Sequence, residues 1–303
     1  MEAIITIVGF LGSGKTTLLN YLIDRFSEKK WNPFVILNDY ENANMDVQQF
    51  LEKVDNKHVK ALTGSCICCS GIHELRNYVN GIPVRKKGIT LIEANGTSDA
   101  CALMEFLGVG VNDRFLPPIQ ISVVDVQNWQ KRGEHDELEA NQIQVSSLIV
   151  LTHLDGVSEH RKELVIEDLK KHNPFAKIIA MDALDVELLP ILLPSKNVVD
   201  KLAHQKAHWS SCSIDLPVLP SKDCIDLICN QLPKSILRVK GCVQIAKEAN
   251  YTYFERTPDG KVFVRPFKGV PITGTKLLTI GAGSEPAVLE KAIADSLKTH
   301  NEL

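Results

Sequence analysis

The chain has 303 residues, of which 44% are hydrophobic and 23% are charged. These proportions are close to the averages of soluble globular proteins, so they exclude wholesale disorder, and the length predicts two domains. The formal net charge of -3, from 34 basic and 37 acidic residues, argues against a non-specific nucleic-acid-binding protein.

The amino-terminal residues and the cysteines indicate the cellular compartment. The first residues lack a basic segment followed by a long apolar one, so we expect no signal peptide. No run approaches the roughly 18 apolar residues of a membrane span. The eight cysteines are not spaced like the disulfide framework of a short secreted protein. We therefore expect a cytoplasmic protein with reduced thiols and no membrane partner.

Short apolar runs alternate with helical patterns over the first two-thirds of the chain. A buried strand is predicted at 4–8, and an amphipathic helix follows at 16–26. Further strands are predicted at 34–37, 90–92, 121–124, 148–151 and 177–180, with a helix at 160–172. This alternation indicates an α/β fold with a mostly parallel sheet flanked by helices.

The alternation lapses over 190–213, where we expect a domain boundary. We place one domain at 1–205 and a smaller α+β domain at 206–303. In the second, helices are predicted at 221–232 and after Ser284, which is expected to cap the last helix. Strands are predicted at 236–245, 252–256, 262–267 and 277–280.

A phosphate-binding loop is the strongest motif. The segment GFLGSGKT at 9–16 matches G-x-x-x-x-G-K-[ST] between a predicted strand and a predicted helix. Its glycines let successive N–H groups point at phosphate oxygens, and the helix start adds partial positive charge. Lys15 is expected to contact the β- and γ-phosphates as a catalytic residue, and Thr16 to bind Mg²⁺. The residues predicted to contact nucleotide here are Gly9, Gly12, Ser13, Gly14, Lys15, Thr16 and Thr17.

Carboxylates follow several of the predicted strands. Ligands of parallel α/β sheets bind at the carboxyl ends of strands, where carboxylates hold Mg²⁺ or orient an attacking water. Asp39 and Glu41 follow the strand at 34–37, and Glu93 follows the strand at 90–92. We favour a functional role for Glu93. For Asp125, after the strand at 121–124, a metal-side role and a local capping role both stay open.

The segment Thr152-His153-Leu154-Asp155 follows another strand. A carboxylate at Asp155 is able to accept two hydrogen bonds from a guanine edge, a pair that adenine does not supply. The usual guanine motif is Asn-Lys-x-Asp, so two of its positions differ. Thr152 lacks the amide of Asn, and the ring of His153 is able to cover the base in place of a Lys stem. An aspartate without a nucleotide role is the alternative.

Three cysteines form the second informative segment, GSCICCSG at 64–71. In an extended chain Cys66 and Cys68 share a face, and a turn brings Cys69 to them. Three thiolates suit Zn²⁺, and such a site also accepts Co²⁺ while leaving a coordination position open. A cluster of buried cysteines is the alternative. The other five cysteines are predicted to be ordinary core residues.

Together these motifs resemble the CobW-type metallochaperone GTPases, relatives of the urease and hydrogenase nickel-insertion GTPases. The resemblance rests on GFLGSGKTT at 9–17, ILNDYENANMD at 36–46, GSCICCSG at 64–71, IEANG at 92–96 and VVDV at 123–126. LPKSILRVKG at 232–241 is similar to the start of that family's carboxyl-terminal domain. The family implies a P-loop GTPase domain that binds a metal ion through Cys66, Cys68 and Cys69.

The resemblance also implies roles for three acidic residues and a glycine. Asp39 stands where the family's switch has the first Glu of Asn-Glu-x-Gly-Glu, which makes it a candidate catalytic residue. Glu41 precedes the position of that motif's second Glu, so the second carboxylate has moved by one position, and it is a candidate metal ligand. Glu93 and Gly96 match Glu-Thr-Ser-Gly, with Glu93 at Mg²⁺ and Gly96 at the nucleotide.

The sequence therefore predicts a GTPase that binds GTP or GDP with Mg²⁺, captures Zn²⁺ or Co²⁺, and delivers the ion to a client metalloprotein. The γ-phosphate is expected to order the segments near Asp39 and Glu93. A homodimer is compatible with this hypothesis. One alternative is an ATP-dependent kinase-like P-loop enzyme with incidental cysteines. The other is a nucleotide-binding metal store or sensor without a catalytic cycle.

Overall fold

The computed structural model describes residues 1–38, 50, 53–62, 71–108, 110–195, 211–267, 269–271, 274–281 and 283–302. The chain divides into two compact units. The domain boundary predicted at residue 205 lies outside the described residues. Within the described ranges, no helix combines the length and the apolar character that crossing a bilayer requires.

The first unit is an α/β layer structure. Its strands are β1 (Ala3–Val8), β2 (Asn32–Asn38), β3 (Val59–Leu62), β4 (Gly88–Glu93), β5 (Ile119–Asp125), β6 (Leu148–Thr152) and β7 (Lys177–Ala180). Its helices are α1 (Lys15–Glu28), α2 (Gly71–Gly81), α3 (Ala100–Leu107), α4 (Asp136–Gln144) and α5 (Glu159–His172). Among the described residues the sheet has seven strands in the order β3-β2-β4-β1-β5-β6-β7, and every neighbouring pair is parallel. The predicted fold class is confirmed.

Strand β1 lies at the centre of this sheet. All six of its residues are buried, as expected for a parallel strand that is covered on both faces. Helix α1 buries the apolar side chains that repeat at helical spacing along it. Because β4 and β5 are the neighbours of β1, their carboxyl ends lie on either side of the turn between β1 and α1.

The structure also contains elements that the sequence pattern did not predict. Strand β3 has only four residues, one of them the exposed Lys60, and it pairs with β2 alone at the edge of the sheet. The sequence pattern predicts helices between the strands but gives no bounds for α2, α3 and α4. Helix α4 buries Asn141 and Gln142 beside Leu138, so polar residues interrupt its apolar face.

The second unit is an antiparallel sheet with two helices. Its elements are β8 (Ser211–Asp215), α6 (Asp223–Gln231), β9 (Ile236–Gln244), β10 (Tyr251–Arg256), β11 (Val262–Phe267), β12 (Lys276–Gly281) and α7 (Pro286–Glu302). In the described residues the five strands have the order β11-β10-β9-β12-β8. Ile228 of α6 and Leu289 of α7 pack with Val239 and Phe254 in one core. The predicted α+β arrangement is confirmed, with β8 as an additional strand.

The start of the last helix differs from the prediction. Helix α7 begins at Pro286, and the hydroxyl of Ser284 is buried with no hydrogen-bond partner among the described residues. The expected side-chain cap by Ser284 is therefore wrong. The chain instead turns through backbone hydrogen bonds, with the Ser284 N–H donating to the Gly281 carbonyl at 3.1 Å.

A buried ion cluster lies at the opposite, amino-terminal end of β1 and β4. The Glu2 carboxylate accepts hydrogen bonds from Arg85 Nη2 at 2.8 Å and from Arg114 Nη1 at 3.1 Å. The side chains of Glu2 and Arg85 are only 5% and 4% exposed. Their charges therefore compensate each other in a site with little access to water.

We expect Glu2→Gln to lower the free energy of unfolding by about 3 kcal/mol or more, because Arg85 would stay buried with its charge uncompensated. The matched control is Glu187→Gln, which breaks the exposed pair with Lys29 at 3.2 Å. That change is expected to cost less than about 1 kcal/mol. Denaturant unfolding of the variants decides, and equal losses would contradict the assignment of Glu2 as a central buried charge.

Candidate nucleotide-binding site

The turn between β1 and α1 has the backbone of a phosphate-binding loop. Gly9 has a φ of 146°, a conformation that other residues rarely adopt. A Cβ atom at Gly9 would lie 2.4 Å from the carbonyl oxygen of Val123 and 2.7 Å from Ser13 Oγ. Only glycine fits here, because β5 passes directly against the loop.

Lys15 closes this loop from inside. Its Nζ donates to the carbonyl oxygens of Gly9 at 2.9 Å and Phe10 at 3.1 Å. The Ser13 N–H also donates to the Phe10 carbonyl at 3.1 Å. Lys15 is 4% exposed, so its positive charge lies within the curled backbone. This is where the motif requires a charge to face phosphate oxygens.

Thr16 and Glu93 meet at the end of β4. Thr16 Oγ1 donates to Glu93 Oε1 at 2.8 Å, although the two residues are 77 positions apart in the chain. A hydroxyl and a carboxylate are hard oxygen donors of the kind that Mg²⁺ prefers. The residues present therefore fit a Mg²⁺ ion beside the phosphate loop.

The ring of Phe10, in the phosphate loop, packs against Arg132 and His135. The guanidinium carbon of Arg132 lies 4.6 Å from the ring centroid, and the ring of His135 stacks at 6.0 Å. Burial lowers the pKa of His135, which favours its neutral form next to this guanidinium. Arg132 Nε donates to Glu139 at 3.2 Å, and burial nevertheless raises the pKa of that carboxyl.

Asp125, whose role the sequence left open, is part of the same cluster. Its carboxylate accepts hydrogen bonds from Asn128 Nδ2 at 2.8 Å and from Arg132 Nη2 at 3.3 Å. It also accepts the backbone N–H of Asn128 at 3.2 Å, which is a capping contact. These contacts favour the local structural role over a metal-side role.

The segment with the altered guanine motif contacts the phosphate loop directly. Thr152 Oγ1 lies 2.7 Å from the carbonyl oxygen of Ser13 and 3.0 Å from that of Val124. His153 Nε2 lies 3.0 Å from the carbonyl oxygen of Gly12. Thr152 and His153 thus connect the end of β6 to two consecutive carbonyl groups of the loop, those of Ser13 and Gly12.

Asp155 lies at the surface, two residues after His153. Its side chain is exposed, and its backbone carbonyl accepts a hydrogen bond from Gln127 Nε2 at 2.9 Å. Arg161 donates to the carbonyl oxygens of Val126 and Trp129, at 3.1 and 2.7 Å. The segment that carries Asp155 is therefore anchored to the residues after β5, while its carboxylate faces solvent.

The structure brings most of the predicted nucleotide contacts to one edge of the sheet. They are Gly9, Gly12, Ser13, Gly14, Lys15, Thr16, Glu93, Gly96, Thr152 and His153. Thr17 is exposed in the first turn of α1. Predicted residues that lie outside the described part of the chain are Asp39, Glu41, Cys66, Cys68 and Cys69.

The remaining five cysteines are confirmed as buried core residues. Burial raises the pKa of the thiols of Cys101, Cys229 and Cys242 to about 12. These three thiols stay protonated near neutral pH, and a protonated thiol is a poor metal ligand. Within the described ranges, no three histidine, cysteine or acidic side chains form a group that could hold a metal ion.

Two residues of this edge were not found from the sequence. Arg132 reaches the phosphate loop through Phe10, and Gln142 reaches the segment after Glu93. No local motif surrounds either residue. The pair Asn141-Gln142 lies between Leu138 and Ile143, which are buried. In the sequence, however, two amide side chains at these positions look like the exposed surface of an ordinary helix.

A protein-family model matches the first unit of the chain. The model is described as "CobW/HypB/UreG, nucleotide-binding domain", and it matches residues 3–180. This range begins with the first residue of β1 and ends with the last residue of β7. The match therefore covers the whole seven-stranded sheet and more than half of the chain.

Two curated proteins are similar in sequence over part of their length. Zinc-regulated GTPase metalloprotein activator 1 of Dictyostelium discoideum is 30% identical over an alignment of 223 positions, gaps included, that covers 61% of this chain and 46% of that protein. Zinc chaperone YjiA of Escherichia coli strain K12 is 26% identical over an alignment of 194 positions that covers 61% of this chain and 59% of that protein. The chain thus spans about half the length of the curated relatives it matches.

Solved structures show a weaker likeness. Zn(II)-bound YjiA GTPase from E. coli has 17% identity and a TM-score of 0.44, over 97% of this chain and 98% of that chain. HypB from Helicobacter pylori in complex with nickel has 18% identity and a TM-score of 0.40, over 61% of this chain and 81% of that chain. The family match rests on the sequence comparison and not on these scores.

Proposed function

This chain belongs to the CobW/HypB/UreG family, and from that membership we propose that it is a GTPase that uses GTP binding and hydrolysis to capture and deliver a metal ion. The observation that carries the nucleotide part is the contact of Thr16 with Glu93 at 2.8 Å beside the closed phosphate loop. Such a pair joins the phosphate-binding turn to a neighbouring strand end, as a nucleotide site at the edge of a parallel sheet requires.

Hydrolysis adds water across the β,γ-anhydride. A bond forms between the water oxygen and the γ-phosphorus, and the bridging bond breaks with its electron pair on the β-phosphate of GDP. The proton that the water gives up passes to a phosphate oxygen, so the products are GDP and inorganic phosphate. The backbone N–H groups of the loop and the Lys15 ammonium balance the charge of the phosphates. Glu93 and Asp39 are the residues proposed to hold or orient groups at the γ-phosphate. Thr16 and Glu93 would hold Mg²⁺, which supplies further electrostatic stabilisation of phosphate charge when bound.

The metal part of the proposal concerns Zn²⁺ or Co²⁺ as cargo. Cys66, Cys68 and Cys69 are the proposed thiolate ligands, with Glu41 as an oxygen donor. Support comes from the spacing of the three cysteines. Three other thiols, those of Cys101, Cys229 and Cys242, are buried and have raised pKa values, which makes them poor metal ligands. The names of both curated relatives refer to zinc. The proposed recipient is a client metalloprotein.

The proposed ligands lie between two parts of the nucleotide site in the sequence. Asp39 and Glu41 follow β2, the three cysteines come next, and Glu93 ends β4. A γ-phosphate that contacts the residues on both sides would favour one arrangement of the segment between them. This provides a physical route by which GTP could tighten the metal site and GDP could loosen it.

We expect Lys15→Ala to lower the rate of GTP hydrolysis by about 100-fold or more, because a charge donor to the transferred phosphate is lost. Steady-state phosphate release measures the effect. Lys29→Ala, at an exposed position on the same unit, is the control and is expected to keep the parent rate. Turnover of the Lys15 variant at the parent rate would contradict the site assignment.

GTP is expected to bind more tightly than ATP by roughly tenfold or more, because Asp155 accepts hydrogen bonds from the guanine edge. Asp155→Ala should erase this preference while leaving ATP affinity unchanged. The control is Glu159→Ala, at an exposed carboxylate that begins α5 four positions later. Competition binding of the two nucleotides decides. Equal affinities in the parent protein would instead support the kinase-like alternative.

A further inference from the structure

The segment 94–98, directly after Glu93, is buried. Thr97 and Ser98 are 0% exposed and Asn95 is 6% exposed, although all three are polar. Backbone hydrogen bonds hold this segment. The Ala94 N–H donates to the Ile7 carbonyl of β1 at 2.9 Å, and the Ser98 N–H donates to the Asn95 carbonyl within the segment at 3.0 Å. A segment with these contacts has few ways to move without leaving buried groups unpaired.

This segment also lies directly against the phosphate loop. A Cβ atom at Gly96 would lie 2.8 Å from the Leu11 nitrogen and 2.6 Å from Leu11 Cδ2. At its other end, Glu93 contacts Thr16 at 2.8 Å. Residues 93–96 therefore touch the loop at Leu11 and at Thr16, and a small displacement of Gly96 would disturb the loop backbone at Leu11.

Gln142 of α4 holds the segment from behind. Its side-chain Nε2 donates to the carbonyl oxygens of Gly96 at 2.9 Å and Ser98 at 3.2 Å, and the residue is 1% exposed. The adjacent Asn141 accepts the Ala100 N–H at 3.3 Å. One buried amide thus fixes two carbonyl groups that are 46 and 44 positions away in the sequence.

We propose that Gln142 is a positioning residue for nucleotide hydrolysis, which acts by fixing the backbone of Gly96 against the phosphate loop. This inference rests on the proposed GTPase function. It makes the segment 94–98 a rigid platform, whose backbone keeps the same position with GDP and with GTP. A misplacement of about 1 Å near the reacting groups is enough to lower turnover by about 100-fold.

Gln120 provides a matched control. It is the same residue type and is 0% exposed, and its Nε2 donates to the carbonyl oxygen of Gln142 at 2.8 Å and to Ser146 Oγ at 3.0 Å. In both glutamines the side-chain oxygen is buried without a hydrogen-bond partner among the described residues. The amide of Gln142 thus reaches two carbonyl groups of the segment, whereas the amide of Gln120 reaches one carbonyl of α4 and the hydroxyls of Ser122 and Ser146.

The test compares the parent with Gln142→Met and Gln120→Met, because methionine keeps the unbranched shape and removes the amide. Both variants should lose thermal stability to a similar degree. Gln142→Met should lower kcat for GTP by about tenfold or more, with GDP affinity within about threefold of the parent. Gln120→Met should keep kcat within about twofold, because the hydroxyl of Ser122 still donates to the Gln142 carbonyl at 2.6 Å. Equal loss of kcat in both variants, or none in Gln142→Met, would overturn the proposal.

Backbone hydrogen exchange over residues 94–100 separates this inference from the proposed function. In the parent, the hydrogens of these amides should exchange slowly with solvent, whether GDP or a GTP analogue is bound. In Gln142→Met, but not in Gln120→Met, they should exchange at least about tenfold faster. Fast exchange in the parent would refute the platform even if Gln142→Met did not fold. If the protein had no GTP turnover, slow exchange in the parent and faster exchange in Gln142→Met alone would still support the positioning of Gly96 by Gln142, while the GTPase and the role in hydrolysis would be refuted.

Discussion

The nucleotide site depends on one buried cation. The Lys15 ammonium binds the carbonyl oxygens of Gly9 and Phe10, and this draws the loop after β1 into a closed turn. With the backbone curled in this way, the carbonyl groups of Gly12 and Ser13 face the end of β6, where His153 and Thr152 contact them. The phosphate loop and the segment proposed to recognise the base are therefore parts of one hydrogen-bonded assembly.

The strand order supplies the rest of the site. Placing β1 between β4 and β5 brings Glu93 to Thr16 on one side and the Val123 carbonyl to Gly9 on the other. Helix α4 then supports both sides. Its Glu139 binds Arg132, which lies over the ring of the loop residue Phe10, and its Gln142 holds the segment after β4.

Local sequence patterns predict the central strands and the phosphate loop, because neighbouring residues determine both. Runs of Ile and Val predict the central strands, and motif spacing predicts the phosphate loop and the strand-end position of Glu93. The edge strand β3, with its exposed Lys60, has too weak a pattern to be recognised. Gln142 and Arg132 act on residues 46 and 122 positions away, so only the folded sheet reveals their roles. The thiol segment at 66–69 stays a prediction, because it lies outside the described residues.

Nucleotide and metal binding are proposed to be coupled in this protein. Calorimetric titration of Zn²⁺ into the GDP form and the GTP-analogue form tests this coupling most directly. Coupling of about 1–3 kcal/mol predicts that the analogue tightens Zn²⁺ binding by roughly five- to 150-fold, with an equal effect of Zn²⁺ on analogue affinity and with release of protons as the thiols ionise. Replacing Cys66, Cys68 and Cys69 by Ser should remove the tight site and leave GDP binding nearly unchanged. Identical Zn²⁺ affinities in both nucleotide forms would contradict the account and indicate a metal store or sensor.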